Sequence, residues 1–473
     1  MLFNSIEFAI FLPVVFALYW LLPDKYRNML LLTASCIFYM SWNAAYILLM
    51  GSCILISYTA GILIDKRPQR KKLIFGIAAV LSFLLLGYFK YYNFLIDTLH
   101  NISLMLGGGP VDLMKDILLP VGISFYTFQS VGYVADVSRG KVKAEKNLLD
   151  YAAFVSFFPQ LVAGPIERTQ NLLPQIKRPK VFTYEKASYG AKLMLWGFYK
   201  KLVIADVLGA YVDRIYWNIT AYKGLDLIIA IIFHTIQLYC DFSGYSDIAR
   251  GSAKLLGIDL MVNFRSPFFA SSVRDFWRRW HISLTTWFKD YVYIPLGGNR
   301  KGMFRKDLNL MITFFLSGLW HGSAWHFVMW GCVNGFAQVI ESWFKKPIEK
   351  FREKKAGRIF CTLYADAVFA AALVFFRAQS VGEGFYAFRH SFDGFLSGSW
   401  FNNGILLWPL PFAVILFSIV VMLVYDYASL KTDVIEWTAK QPALIRYGLY
   451  IFVAMMVMLF KASGSTEFVY FQF

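Results

Sequence analysis

Long apolar runs, repeated from one end of the chain to the other, limit what this sequence can become. They lie near residues 6–22, 28–44, 46–64, 73–97, 116–136, 150–165, 223–240, 308–320, 325–343, 358–376, 405–425 and 445–461. A run of this kind crosses the roughly 30 Å hydrocarbon core of a bilayer as a helix. Several are short or merged, so they predict roughly ten to twelve transmembrane or re-entrant helices. Composition agrees. Of 473 residues, 58% are hydrophobic and only 16% charged, against about 25% charged in a soluble domain. That leaves too little polar surface to clothe a water-soluble globule, and it excludes disorder, a collagen-like chain and a disulfide-stapled mini-protein. The expected fold class is an all-α polytopic integral membrane protein of the cell (inner or plasma) membrane, with the lipid bilayer as its first partner.

Lys and Arg number 47 and Asp and Glu 30, for a net charge of +17. No nucleic-acid-binding motif accompanies this excess, so it reads as the basic bias of cytoplasmic loops, with no nucleic-acid partner. The loop Asp65–Lys72 is strongly basic and belongs inside. Counting back puts the N-terminus outside and the Lys25/Arg27 loop inside. Counting forward puts residues 98–113, without Lys or Arg, outside, and the loop with Arg139, Lys141, Lys143 and Lys146 inside. Lys345–Arg358 is basic and reads as cytoplasmic as well. The first segment has no basic n-region and carries Glu7, so it is expected to be a retained span. The five cysteines are scattered, without a C-x-x-C pair, and read as small buried hydrophobes.

Residues 167–222 mix Lys and Arg, among them Lys200 and Lys201, with apolar residues at helical spacing. They are expected to form interfacial amphipathic helices, as is 271–300. No internal repeat or linker divides the chain, so residues 1–473 read as a single membrane domain.

Several chemistries lack their signatures. There is no P-loop and no G-x-S-x-G elbow, and Gly107–Gly109 before Pro110 reads as a turn. No H-E-x-x-H is present, and the five-residue spacing of His321 and His326 puts them on different faces of a helix. Neither a metal site nor a permanently bound cofactor is expected.

Polar residues instead gather where hydropathy predicts none: Gly122–Val137 (GISFYTFQSVGYVADV), Pro159–Arg168 (PQLVAGPIER), Gln237–Gly251 (QLYCDFSGYSDIARG), Phe276–Gly298 (FWRRWHISLTTWFKDYVYIPLGG) and Ser317–Gly331 (SGLWHGSAWHFVMWG). Polar groups persist in hydrocarbon when they line a cavity, pair with one another or perform chemistry. Gly and Pro in Pro159–Pro165 break a helix, which is tolerated only inside protein or beside a cavity. A polar cavity within the bundle follows.

Of six histidines, His321 lies deep in an apolar segment. Burial disfavours the imidazolium, and a neutral imidazole can take a proton from a hydroxyl. A hydrogen-bonded core histidine is the other reading. His281 lies in a segment rich in Arg and Trp, and reads either as functional or as an interfacial residue. His326 is expected to be structural; His234, His100 and His390 read as core, outer-loop and surface residues. Arg278 and Arg279, with Arg274 and Lys289, form a basic patch suited to a phosphate-rich donor or to anionic headgroups. Asp241 and Asp247 flank Ser243, Gly244 and Tyr245, and either orient a histidine or the donor or form a structural ion pair with Arg250. Asp366 and Arg377 read as packing or topology features.

The ordered set of these five segments resembles the membrane-bound O-acyltransferase family, in its branch that O-acetylates alginate and other bacterial surface polysaccharides. The resemblance covers the chain from the first span to beyond residue 335. It implies a multi-helix enzyme around a central polar tunnel, with His321 matching the family's near-invariant histidine and His281 its second position. Substrate-binding candidates are Arg278, Arg279, Asp241, Ser243, Tyr245, Trp320 and Gln160. The implied partners are acetyl-CoA or an acyl carrier protein on the cytoplasmic side, a polysaccharide acceptor such as alginate, and a separate extracytoplasmic acyltransferase. D-alanyl transfer to teichoic acid, peptidoglycan O-acetylation and a transporter or flippase remain as alternatives.

Overall fold

In hydrocarbon no water is available to satisfy a bare peptide group, so apolar runs must close into helices. A computed structural model describes residues 1–397, 409–461 and 468. All regular structure among these residues is helical. Among the described residues, six helices are long and apolar enough to cross a membrane: Tyr46–Lys66, Pro68–Met105, Leu225–Leu255, Lys355–Arg377, Phe412–Ser429 and Ala443–Phe460. Ile6–Leu21 is apolar but shorter. The protein is a multi-pass membrane protein.

Several expected boundaries move. The span expected over 116–136 starts at Ile123, because Pro120 and Gly122, with φ +76°, hold the chain out of a helix. The stretch 150–165 divides as its Gly and Pro require: Leu148–Ser156 ends, and one turn, Phe158–Leu161, follows. Residues 405–408 of the expected 405–425 span lie outside the described residues, and a helix occupies Pro409–Ser429. In the region expected to be amphipathic, Lys200 and Lys201 are buried rather than interfacial. Each meets a carboxylate there: Lys200 pairs with Asp247 at 2.7 Å, and Lys201 with Asp206 at 2.7 Å and Asp241 at 2.6 Å.

The contacts divide the chain into two units: residues 1–190 with 249–261, and residues 191–248 with 262–473. In the first, helix Ile123–Ser138 is buried on every face from Ile123 to Val137, although it carries Ser124, Thr127, Gln129, Ser130 and Asp136. Tyr133 on it packs against Tyr151 with ring centroids 4.5 Å apart. Its hydroxyl accepts the Glu145 backbone N–H at 2.9 Å, and Tyr151 donates to Ser57 Oγ at 2.7 Å. These two buried hydroxyls thus find hydrogen-bond partners inside the protein.

In the second unit the short helix Val273–Arg279, which leads into Ile282–Phe288, packs against Trp325–Trp343, the second arm of a hairpin with Gly302–His321, and against Lys355–Arg377. Phe369 joins them, its ring 4.2 Å from Phe276 and 4.6 Å from Trp280. Small residues let the hairpin close. A Cβ at Gly318 would lie 2.4 Å from the Phe327 carbonyl oxygen, and one at Gly331 2.3 Å from that of Phe314. Only glycine permits this backbone approach.

Candidate active site

A cavity of about 2030 Å³ opens within the second unit. On helix Gly302–His321 its wall runs through Lys306, Leu310, Thr313, Ser317 and His321, one helical face at steps of three and four. From Lys306 to His321 the helix rises about 22 Å. Helix Lys355–Arg377 forms a second wall through Lys355, Arg358, Thr362, Asp366 and Ala370.

The two walls run in the same sense. Lys306 donates to Ser342 Oγ at 2.9 Å, beside Glu341, whose carboxylate accepts the Val273 N–H at 2.6 Å. Arg352, Lys355 and Arg358 line this charged end. At the other end the ring of Phe376 lies 5.3 Å from His321. The cavity is therefore cationic at one end and carries histidine and aromatic rings at the other.

His321 ends its helix, 4% exposed. Trp330 meets it edge-on at 4.6 Å and Trp320 at 5.0 Å. Trp320 also lies 6.0 Å from His281, so one indole separates the two imidazoles. His281 sits between the two short helices in a left-handed conformation, φ 43°, ψ 53°. A residue with a Cβ pays about 1–2 kcal/mol for that. Asn263 holds the turn: its carbonyl accepts the Ile282 N–H at 2.9 Å and its side-chain oxygen the Ser283 N–H at 3.3 Å. Phe242 meets the His281 ring edge-on at 4.5 Å. His281 is 1% exposed, and burial lowers its pKa from 6.5 to about 3. It is neutral at physiological pH and carries one N–H. Among the described residues neither ring nitrogen has a hydrogen-bond partner.

Residues 35–381 match the membrane-bound O-acyltransferase family. The chain belongs to that family. This acyltransferase is 36% identical to the probable alginate O-acetylase AlgI of Azotobacter vinelandii, over the full length of both chains. It is 34% identical to the peptidoglycan O-acetyltransferase of Helicobacter pylori, over 80% of this chain and 78% of that one. The teichoic acid D-alanyltransferase of Bacillus subtilis is 28% identical over 50% of this chain and 62% of its own.

Four of the expected residues of the acyltransferase, His321, His281, Arg278 and Arg279, line this one cavity. Arg278 is exposed, and Arg279 is paired with Asp275 at 3.1 Å. Among the described residues Asp241, Ser243, Tyr245 and Trp320 do not line the cavity. Trp320 acts as the packing wedge between the histidines. Asp241 is bound by Lys201, and Ser243 accepts from Lys200 at 3.0 Å. The ring of Tyr245 lies 4.8 Å from Phe468. Gln160 belongs to the first unit, where its amide donates to Gln129 Oε1 and the Phe154 carbonyl, both at 3.0 Å. His326 donates from Nδ1 to the Phe375 carbonyl at 2.9 Å, the structural role expected of it. Sequence reasoning missed Asn263, which carries no signal of its own, and the lining residues Trp277 and Asp366. A lone carboxylate in the apolar run around Asp366 was the available clue.

Proposed function

We propose that this acyltransferase moves an acetyl group from a cytoplasmic thioester, acetyl-CoA, to a hydroxyl of an extracellular or cell-wall polysaccharide such as alginate. One observation carries the reading: His321 and His281 face a single cavity whose opposite end is cationic. The phosphates of the donor dock among Arg278, Lys345, Arg352 and Arg358, where Arg pairs well with phosphate oxygens. The basic Lys345–Arg358 segment supports a cytoplasmic position for that end. The same rule supports an N-terminus outside the cell membrane. The acyl arm extends toward the histidines.

His321 takes the proton of the acceptor hydroxyl as its oxygen attacks the thioester carbonyl. The neutral His281 donates its N–H to the oxygen on which charge develops. The C–S bond then breaks and the thiolate recovers the proton from His321. The remaining acceleration comes from holding both substrates together in a dry site. Residues 1–473 act as one catalytic domain, and an extracytoplasmic acyltransferase receives or directs the acetyl group. The alginate O-acetylase and peptidoglycan O-acetyltransferase among its relatives support the acetyl group and the glycan acceptor.

The test is thiol release from acetyl-CoA by the purified protein in proteoliposomes containing acetyl acceptors, with acetylated carrier protein as a second donor. Release by wild type and its loss in His321→Ala supports the reading. Equal release by both removes it.

A further inference from the structure

Two polar groups in the cavity wall have no use in the mechanism above. Trp277 is buried, and its Nε1–H has no hydrogen-bond partner among the described residues. Oδ1 of Asp366 is likewise buried and without a partner, and no cation pairs with that carboxyl among the described residues. Both residues line the same cavity. Phe369, one turn beyond Asp366 on the same helix face, brings its ring 6.1 Å from that of Trp277. Trp277 also packs on Phe314 at 5.2 Å and Trp330 at 5.7 Å, and Trp330 touches His321. Asp366 stands about 12 Å along its helix from Arg358 at the charged end. The two groups thus lie between the cationic end and the histidines.

An unpartnered polar group in such a wall costs stability. Here a donor and an acceptor, on two residues that line one cavity, are both unpaired among the described residues. A secondary amide presents the complementary pair, a carbonyl oxygen and an N–H.

We propose that Trp277 and Asp366 form a two-point binding site for the amide-bearing pantetheine arm of the thioester donor. The indole N–H donates to an amide carbonyl, and the Asp366 carboxyl accepts an amide N–H. This rests on the thioester reading of the cavity and adds which residues set the donor's register. Because the arm is common to coenzyme A and to acyl carrier proteins, the site reads the arm rather than the carrier.

The test measures kcat and KM for wild type, Asp366→Leu and Trp277→Phe in proteoliposomes with four donors. These are acetyl-CoA, acetylated carrier protein, S-acetylpantetheine and a short alkyl thioacetate without amides. Each variant is expected to raise KM about tenfold for S-acetylpantetheine and for the carrier used, the loss of one hydrogen bond. KM for the alkyl thioacetate should stay within about twofold. Which of the first two donors turns over names the source. Asp366→Leu should also keep or raise the melting temperature, since it removes an uncompensated polar group. A melting temperature that falls, with equal KM changes for every donor, makes the carboxyl structural and overturns the inference. So does an unchanged KM throughout. If wild type releases thiol from none of the four, the thioester reading fails and this site fails with it. If wild type is active and the variants do not discriminate, only the site fails.

Discussion

Asn263 grips the chain just beyond His281 with two oxygens, its carbonyl on the Ile282 N–H and its side chain on the Ser283 N–H. The left-handed backbone of His281 persists because these bonds hold it. Asn263→Ala removes the side-chain bond and frees the turn. We expect kcat to fall about tenfold with donor KM nearly unchanged, the pattern of a misplaced catalytic group. Initial rates over a donor titration decide it; a pure KM effect would place Asn263 with substrate binding.

His321→Ala should lower transfer by about 10²–10⁴-fold, the usual contribution of a general base. The variant should still insert and elute as a single species in detergent. Its packing partners Trp330, Trp320 and Phe376 remain, so loss of folding would point instead to a core role.

The neutral state of His281 gives a signed pH effect. Its pKa is lowered from 6.5 to about 3 in the folded protein. Between those values the unfolded chain binds a proton at this site and the folded chain does not. Stability therefore falls as pH drops from about 7 toward about 3, and is fully present above 6.5. Across pH 7 to 4 the melting temperature of wild type should fall several degrees more than that of His281→Phe. Parallel slopes would contradict the buried neutral imidazole.

Lys201 holds two carboxylates at once, Asp206 and Asp241. Lys201→Met strands both and should cost about 3–5 kcal/mol. Asp241→Asn leaves Lys201 with Asp206 and should cost less. Thermal unfolding in one detergent gives the order, and the reverse order would contradict Lys201 as the group both carboxylates depend on.

Replacing Arg278 alone should raise the apparent donor KM several-fold, because it is exposed on the cavity wall. Replacing Arg279 alone should do less, since it already pairs with Asp275. Salt titration of KM checks the assignment, because the Arg278 contribution should weaken as ionic strength rises.

Hydropathy told most about the fold and the polar segments most about the site. The apolar runs made the helices legible, and Gly and Pro announced the break after Ser156. His321 and His281 stood out because histidine in an apolar context has few uses. Lys200 and Lys201 misled: on a helical wheel they mark a wet face, and only their partners Asp247, Asp206 and Asp241 explain their burial. Asp241, Ser243 and Tyr245 sit in a segment whose polarity serves this network. Asn263 was invisible, because holding a neighbour's backbone needs no pattern along the chain. Asp366 was visible as an oddity, but only the cavity says what it faces.

The missing Cβ atoms at Gly318 and Gly331 have a mechanical corollary. Two helices seated backbone to backbone cannot slide past one another without driving a side chain into a carbonyl, so the helix end that carries His321 is held in register. On the proposed mechanism the helix that carries the base therefore stays in place, and donor and acceptor do the moving.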